Sequence, residues 1–476
     1  MFVQRFCFKE AVVFQTGMRL FENWRFMLKK LWRKMVPAKS KMHKRVLPFA
    51  EHHINADKLN FAAEKVVDRL HHAGYEAYVV GGAVRDLLLG VEPKDFDVAT
   101  NATPEQVRKV FRRSRIIGRR FQIVHVMVGP ETIEVTTFRG GDNALQNEHG
   151  RIMKDNTYGS MEEDAMRRDF TCNALYFDPI RREIIDFHHG VEDVRNKKLV
   201  MIGEPEARYQ EDPVRILRAI RLSGKLGFDI EEATAAPIAE NAARLKNEPA
   251  ARLFDEMLKI LLSGYARRCL DALKRSDIDV SVHPILDALK QSDHRNGQNI
   301  ITLALKNTDD RLRADKSVSV GFVLAAVLWP ELYGYWQQHL SQGEKPVAAL
   351  NSAIGVMRDN MEQGWGVPQR FSATMREIWA LQPQFDFVRG NRPFRLLAQP
   401  RFRAAYDFLV LRAQTGEVPQ ELVDWWTAFQ HADEHTKQEM TSAKHAPATQ
   451  SGETEPAKKK RRRPRKRKPK PVIVQI

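Results

Sequence analysis

The segment YVVGGAVRDLLLGVEPKDFDVAT, residues 78–100, sets two aspartates two positions apart, downstream of a glycine pair. On an extended strand, residues i and i+2 share a face, so Asp95 and Asp97 project together while Phe96 turns toward a core. Two carboxylates that close repel unless a cation sits between them. Hard oxygen ligands of this kind suit Mg2+, which takes one or two carboxylates and substrate phosphate. Alone, the pair is more simply a surface or capping feature. Gly81 and Gly82 add a second signal, because a glycine turn between strand and helix lets backbone N–H groups approach a phosphate. Arg85, one turn into that helix, adds a candidate bidentate phosphate contact. In TIEVT, Ile133 and Val135 share one strand face and leave Glu134 on the other. There it either completes the oxygen cluster of a two-metal phosphoryl-transfer site or is a solvated strand residue.

These residues need a scaffold that brings strand ends together. From about Asn55 the chain reads as mixed α/β: a helical stripe over Leu59–His72, strands at Tyr75–Val80 and Phe96–Ala99, and a helix opened by Thr103 as N-cap and Pro104 in its first turn. Further strands are predicted at Ile116–Ile117, Phe121–Val128 and Thr132–Phe138. After about Leu199 strand signals largely disappear, and segments such as PVRILRAIRLSGKLGF and FRAAYDFLVLRAQTG have helical period. The expected organisation is a basic amphipathic extension (1–50), an α/β head (55–198), a helical neck (199–262), a helical body (263–431) and a disordered basic tail (432–476).

A chain of 476 residues exceeds one compact core, and its 43% hydrophobic content is ordinary for a globular protein. No apolar run reaches the roughly 20 residues that a membrane span takes. Three scattered cysteines exclude a zinc module and a disulfide framework and fit a reducing, cytoplasmic setting. Of the formal +16 charge, +10 falls in residues 1–50 and +11 in Lys458–Lys470, so the remaining residues carry −5. Polyanion binding is therefore expected through appendages as well as the folded part. The N-terminal stripe (Leu20, Trp24, Leu28, Leu31, Met35) amid Arg and Lys suits an anionic membrane surface, a transit peptide or a loosely packed extension.

Four ordered motifs, GGAVRD…DFD, EEDAMRRDFTCNAL from Glu162, DFHHGVED from Asp186 and EDPVRILRAIRL from Glu211, resemble those of the class II template-independent nucleotidyltransferases. That family contains CCA-adding enzymes and bacterial poly(A) polymerases, and the resemblance covers roughly residues 55–260. It implies a polymerase-β-like nucleotidyltransferase head followed by an all-α neck and body. Within the family, IIGRRFQIVHV (116–126), with the basic pair Arg119 and Arg120 before Phe121, resembles the poly(A) polymerase branch rather than the CCA-adding one. The implied activity is transfer of AMP from ATP to an RNA 3′-hydroxyl with release of pyrophosphate, the alternatives being a CCA-adding enzyme or an inactive RNA-binding relative.

On this resemblance, Asp95 and Asp97 hold Mg2+ (or Mn2+), and Arg168 and Asp169 bind the sugar-triphosphate, with Asp169 selecting a ribonucleotide. Asp212 and Arg215 read the base: Asp accepts from adenine N6, and Arg donates to N1. Arg218 is a supporting contact or a neck-packing salt bridge. RNA contacts are expected at Arg119 and Arg120, and along the tail at Lys458, Lys459, Lys460, Arg461, Arg462, Arg463, Arg465, Lys466, Arg467 and Lys468. The tail is also a candidate site for RNA-decay proteins. Cys172 replaces a branched apolar residue and is expected to fill core space, and His189 stands where the family commonly has glycine.

Overall fold

The computed structural model describes residues 44–118, 122–140, 145–146, 152–154, 157–276, 278, 283–291 and 299–442. The basic pair Arg119–Arg120, the tail cations and most of the N-terminal stretch lie outside these. The chain divides into two compact units at Lys290/Gln291.

The first unit is built on an eight-stranded mixed sheet. Its strands are β1 (Arg45–Pro48), β2 (Ala77–Val80), β3 (Asp97–Thr100), β4 (Ser114–Ile117), β5 (Ile123–Val128), β6 (Glu131–Thr137), β7 (Leu175–Asp178) and β8 (Glu183–Asp186), in the spatial order β1-β8-β7-β2-β3-β6-β5-β4. Only the β3–β6 pair is parallel. The predicted strands are present, trimmed or extended by one or two residues. β1, β7 and β8 were not anticipated, and β1 falls inside the stretch read as an extension. β2 and β7 are buried along their whole length, so they lack the alternation by which a half-exposed strand is recognised. Tyr78, Phe138, Tyr176 and Phe187 interlock behind them, with ring centroids 6.2–6.4 Å apart.

Helix α1 (Phe61–His72) is capped by Asn60, whose side chain accepts from the N–H groups of Ala62 and Ala63. The glycine turn leads into α2 (Gly82–Leu88), and α3 (Pro104–Val110) opens with the expected Thr103 cap, made into a reciprocal box by Gln106. A second such box, Ser160 with Glu163, starts α4 (Met161–Arg167). In DFHHG, the buried Asp186 carboxylate accepts from His188, Gly190 and Val191 N–H groups at 3.0 Å. His189 takes the left-handed conformation there (φ 61°), which explains why glycine suits that position. Gly190 is fixed for a different reason: a Cβ on it would lie 2.3 Å from the Thr171 carbonyl oxygen.

Helices α5 (Pro205–Glu211), α6 (Val214–Leu226), α7 (Ala250–Leu261) and α8 (Ala266–Arg275) follow in the same unit. α6 and α8 touch backbone to backbone at Gly224, where a Cβ would come within 2.4 Å of Cys269 Cα. Cys172 is fully buried and its thiol is pushed up to about 12 by that burial, as befits a core residue.

The second unit is helical throughout its described residues, from Ile300–Arg313 to Glu434–Met440. Its core gathers Phe385, Phe402, Tyr406, Trp426 and Phe429, with Trp426 Nε1 donating to the Phe385 carbonyl at 2.9 Å. No helix among the described residues is long and apolar enough to cross a membrane.

Candidate active site

Asp97 opens β3, and its register partner across the parallel pair is Glu134 on β6. Partners in register share a sheet face, so the two carboxylates stand side by side. Asp95 precedes the strand, yet the alternation continues through it: Asp95 and Asp97 are exposed and Phe96 is buried. His125 on β5 faces Glu134 in turn, Nε2 lying 3.3 Å from Oε1. Burial, and then the neighbouring carboxylates, raise the Asp97 carboxyl from 3.8 to about 6. Desolvation is the first cause and Glu134 the second, with Arg168 opposing and Asp95 adding. A cation beside Asp97 would reverse that shift. Among the described residues no three His, Cys, Asp or Glu side chains converge on one point. Asp95, Asp97 and Glu134 offer hard carboxylate oxygens, the donor chemistry that suits a divalent ion completed by water and phosphate.

Beside this edge lies an open cleft of about 490 Å3. Its wall at the glycine turn follows from backbone geometry: Gly81 has φ 71° and ψ −129°, open to glycine, and a Cβ there would sit 3.4 Å from Arg168 Nη1. Arg168 is oriented by Asp164 (3.1 and 3.2 Å), by Tyr176 Oη (3.2 Å) and by the Asn173 carbonyl (3.1 Å). Arg85 borders the same cleft, with its guanidinium engaged within the protein. It is 4% exposed and donates to Asp86 Oδ1 (2.7 and 2.9 Å) and Asn173 Oδ1 (2.6 Å).

Asp169 is paired with Arg218, which donates through Nε at 2.8 Å and Nη2 at 2.5 Å. Arg218 outweighs the cost of burial, and hydrogen bonds from Asn173 and the Phe170 N–H help, so the Asp169 carboxyl falls to about 2.

Asp212 separates α5 from α6. Its Oδ1 accepts from the Val214 N–H at 3.2 Å and its Oδ2 from Arg252 Nη2 at 2.7 Å. Arg215, one turn on, donates through Nη1 alone, to the Arg208 carbonyl (2.8 Å) and Glu211 (2.9 Å). Gly81, Asp97, Arg168, Asp169, Asp212, Arg215 and Arg218 thus line one cleft. A second cleft of about 1000 Å3 takes in Asp95, Asp97 and Glu134 and meets the first at Asp97 and Arg221.

Residues 77–200 match the family described as Poly A polymerase head domain, 227–290 the probable RNA and SrmB-binding site of polymerase A, and 342–468 the polymerase A arginine-rich C-terminus. Poly(A) polymerase I of Escherichia coli O6:H1 is 41% identical over 397 residues, covering 81% of this chain and 85% of that protein. The chain belongs to the poly(A) polymerase I family. The CCA-adding enzyme of Lactobacillus helveticus is 38% identical over 221 residues, only 45% of this chain and 54% of its own. A solved tRNA-processing enzyme with CTP shares the fold at a TM-score of 0.55 and 20% identity, covering 79% of this chain and 99% of that one.

As a poly(A) polymerase I relative, the chain carries supports that sequence reasoning missed. Asp164 and Tyr176 aim Arg168, Asn173 links Arg85 to Asp169, and Arg252 fixes Asp212. Asp164 stood in the quoted EEDAMRRD motif, and its one-turn spacing to Arg168 was the available signal. Arg252 sits some forty residues from Asp212 in sequence and offered none.

Proposed function

We propose that the chain adds AMP from ATP to RNA 3′ ends without a template, releasing pyrophosphate. The observation that carries this is 41% identity to a poly(A) polymerase I across most of both chains, and one cleft joining a carboxylate edge to Asp212 and Arg215 is what such chemistry needs. Asp95 and Asp97 would hold the divalent ion, Mg2+ or Mn2+, with Glu134 beside them. When bound, it supplies Lewis-acid activation of the 3′-hydroxyl and neutralises triphosphate charge.

The protein's own contribution is positioning and fixed charge. Gly81 and Gly82 leave room for the triphosphate, and Arg168, already held by Asp164, offers its guanidinium edge without further ordering. Arg85 acts behind them by fixing Asn173. Asp169, kept ionised by Arg218, accepts from a ribose hydroxyl and so favours a ribonucleotide. Arg252 and the Val214 N–H hold the Asp212 carboxylate, which accepts from adenine N6, while Arg215 donates to N1 from its unused Nη2. Tail cations from Lys458 onward add RNA phosphate contacts and a surface for RNA-decay proteins in the cytoplasm.

Purified protein given generic RNA, divalent ion and either ATP or CTP tests the reading. ATP-dependent extension is expected. Efficient CTP addition to a tRNA lacking its CCA end would overturn it.

A further inference from the structure

We infer that the head carries a second RNA-binding surface: a basic cleft at the tip of the β5–β6 hairpin that takes the sugar-phosphate backbone of the acceptor strand upstream of its 3′ end. The cleft, about 380 Å3, is lined by Lys65, Arg69, Lys109, Arg112 and Arg113 over an apolar floor that includes Phe111 and Met127, with no acidic residue in its wall. The cations arrive from three places, α1, the end of α3 and the link into β4, so no single periodic stripe accounts for them. Lys109 has a local reason to sit at a helix C-terminus. Lys65 lies over the Phe61 ring at 5.6 Å, and Arg112 and Arg113 follow the same helix end, yet all face the one concavity.

Arg69 is fixed in place, donating to the Val110 carbonyl at 2.8 Å with its guanidinium 4.8 Å from the Phe111 ring centroid. The other four are exposed, and none has a carboxylate partner among the described residues. Outside the two basic appendages the chain carries a net −5, so five unneutralised cations in one concavity run against the prevailing charge. Mutual repulsion of that kind is relieved by a polyanion.

Position selects which polyanion. Val128 and Gly129 border the basic cleft, while Glu131, Thr132 and Glu134, just past the same turn, border the cleft that holds Asp95 and Asp97. Asn60 caps α1 beside that second cleft and donates to Glu131, and Lys65 and Arg69 lie one and two turns further along the same helix. The clefts therefore share two walls. From Glu134 to Gly129 is three residues of strand plus the turn, at most about 17 Å at ~3.4 Å per residue, a span that a few nucleotides bridge. A strand with its 3′ end at Asp97 runs directly onto these cations.

The polyanion's identity rests on the polyadenylation reading, but its binding can be measured without turnover. In the full chain, Lys65, Lys109, Arg112 and Arg113 are changed together to Ala, and binding of a long oligoadenylate and of a trinucleotide is followed by anisotropy across a salt series. Long-strand affinity is expected to fall at least about tenfold. Its log–log salt slope should become shallower by about 2 to 3, at about 0.7 per lost single-strand phosphate contact. Trinucleotide binding should be unchanged. An unchanged long-strand slope overturns the proposal, and so does an equal loss for both ligands. A charge-keeping variant (K65R, K109R, R112K, R113K) must retain the wild-type slope; if it loses affinity as the Ala variant does, phosphate electrostatics are not the cause. Failure of the wild type to incorporate AMP, with these binding differences intact, would sink the polyadenylation reading and leave the cleft standing.

Discussion

Replacing Asp97 by Asn separates the cost of the carboxylate cluster from its use. In the metal-free protein the Asp97 carboxyl sits at about 6 against an ordinary 3.8, so the folded state holds a proton that the unfolded chain releases. Between pH 4 and 6 the folded form binds more protons, and wild-type stability must fall as pH rises through that window. Above pH 6 the loss is complete; below 3.8 it is absent. A shift of about two units corresponds to about 3 kcal/mol for a group shut off from water. Because one side of Asp97 meets solvent, about 1–1.5 kcal/mol is the reasonable expectation after screening. Asp97→Asn removes the charge at constant shape. In EDTA it should therefore be more stable than wild type by that amount at pH 8, with the two converging near pH 4. Adding divalent ion reverses the order: only wild type gains, by about 2.7 kcal/mol at a hundredfold excess over Kd. Urea unfolding at several pH values, with and without Mg2+, reads both arms. A variant less stable than wild type at pH 8 in EDTA, or equally stabilised by Mg2+, would refute the reasoning. AMP incorporation by the variant should be abolished while RNA binding persists.

Arg218→Ala leaves the Asp169 carboxylate buried and unpaired, which should cost about 2–4 kcal/mol at neutral pH, less than a fully buried pair because Arg218 is about one-third exposed. Asp169 is held at about 2, so its stabilisation is present above pH 4 and fades as pH falls toward 2; the penalty in the variant should shrink along the same course, and a pH-independent penalty would contradict the pairing. Arg252→Ala frees Asp212 Oδ2 and should raise the KM for ATP about tenfold, on the order of 1.4 kcal/mol, with kcat less affected and discrimination against CTP reduced; steady-state kinetics with both nucleotides check this. Gly224→Ala forces α6 and α8 apart at Cys269 and should lower stability by about 1–3 kcal/mol, seen as a lower unfolding midpoint.

What could be read beforehand divides along a physical line. Residue type and short-range spacing told which groups carry charge and which face of a strand they share, so Asp97, Glu134 and the glycine turn were legible from DFD, TIEVT and GGAVRD. Direction was not. Arg85 borders the cleft, but the hold of Asp86 and Asn173 on its guanidinium was not readable, since Asn173 reaches it only because the chain returns after β6 and α4. Pairing across the fold was not local either: Arg218 was readable as a supporting contact or a salt bridge, but that its partner is Asp169, some fifty residues away, follows only from the fold. The strands β7 and β8 were missed because strands buried on nearly every residue show no period, and β1 because its four residues, with Leu47 alone buried, are too few to show one. The cleft is thus a layer of locally readable side chains standing on a second layer, Asp164, Asn173, Tyr176, Arg218 and Arg252, most of whose contacts are made across the fold. That layering has a consequence for substitution: changes in the first layer should abolish chemistry with little loss of fold, as Asp97→Asn tests, whereas changes in the second should move stability and nucleotide affinity together, as Arg218→Ala tests.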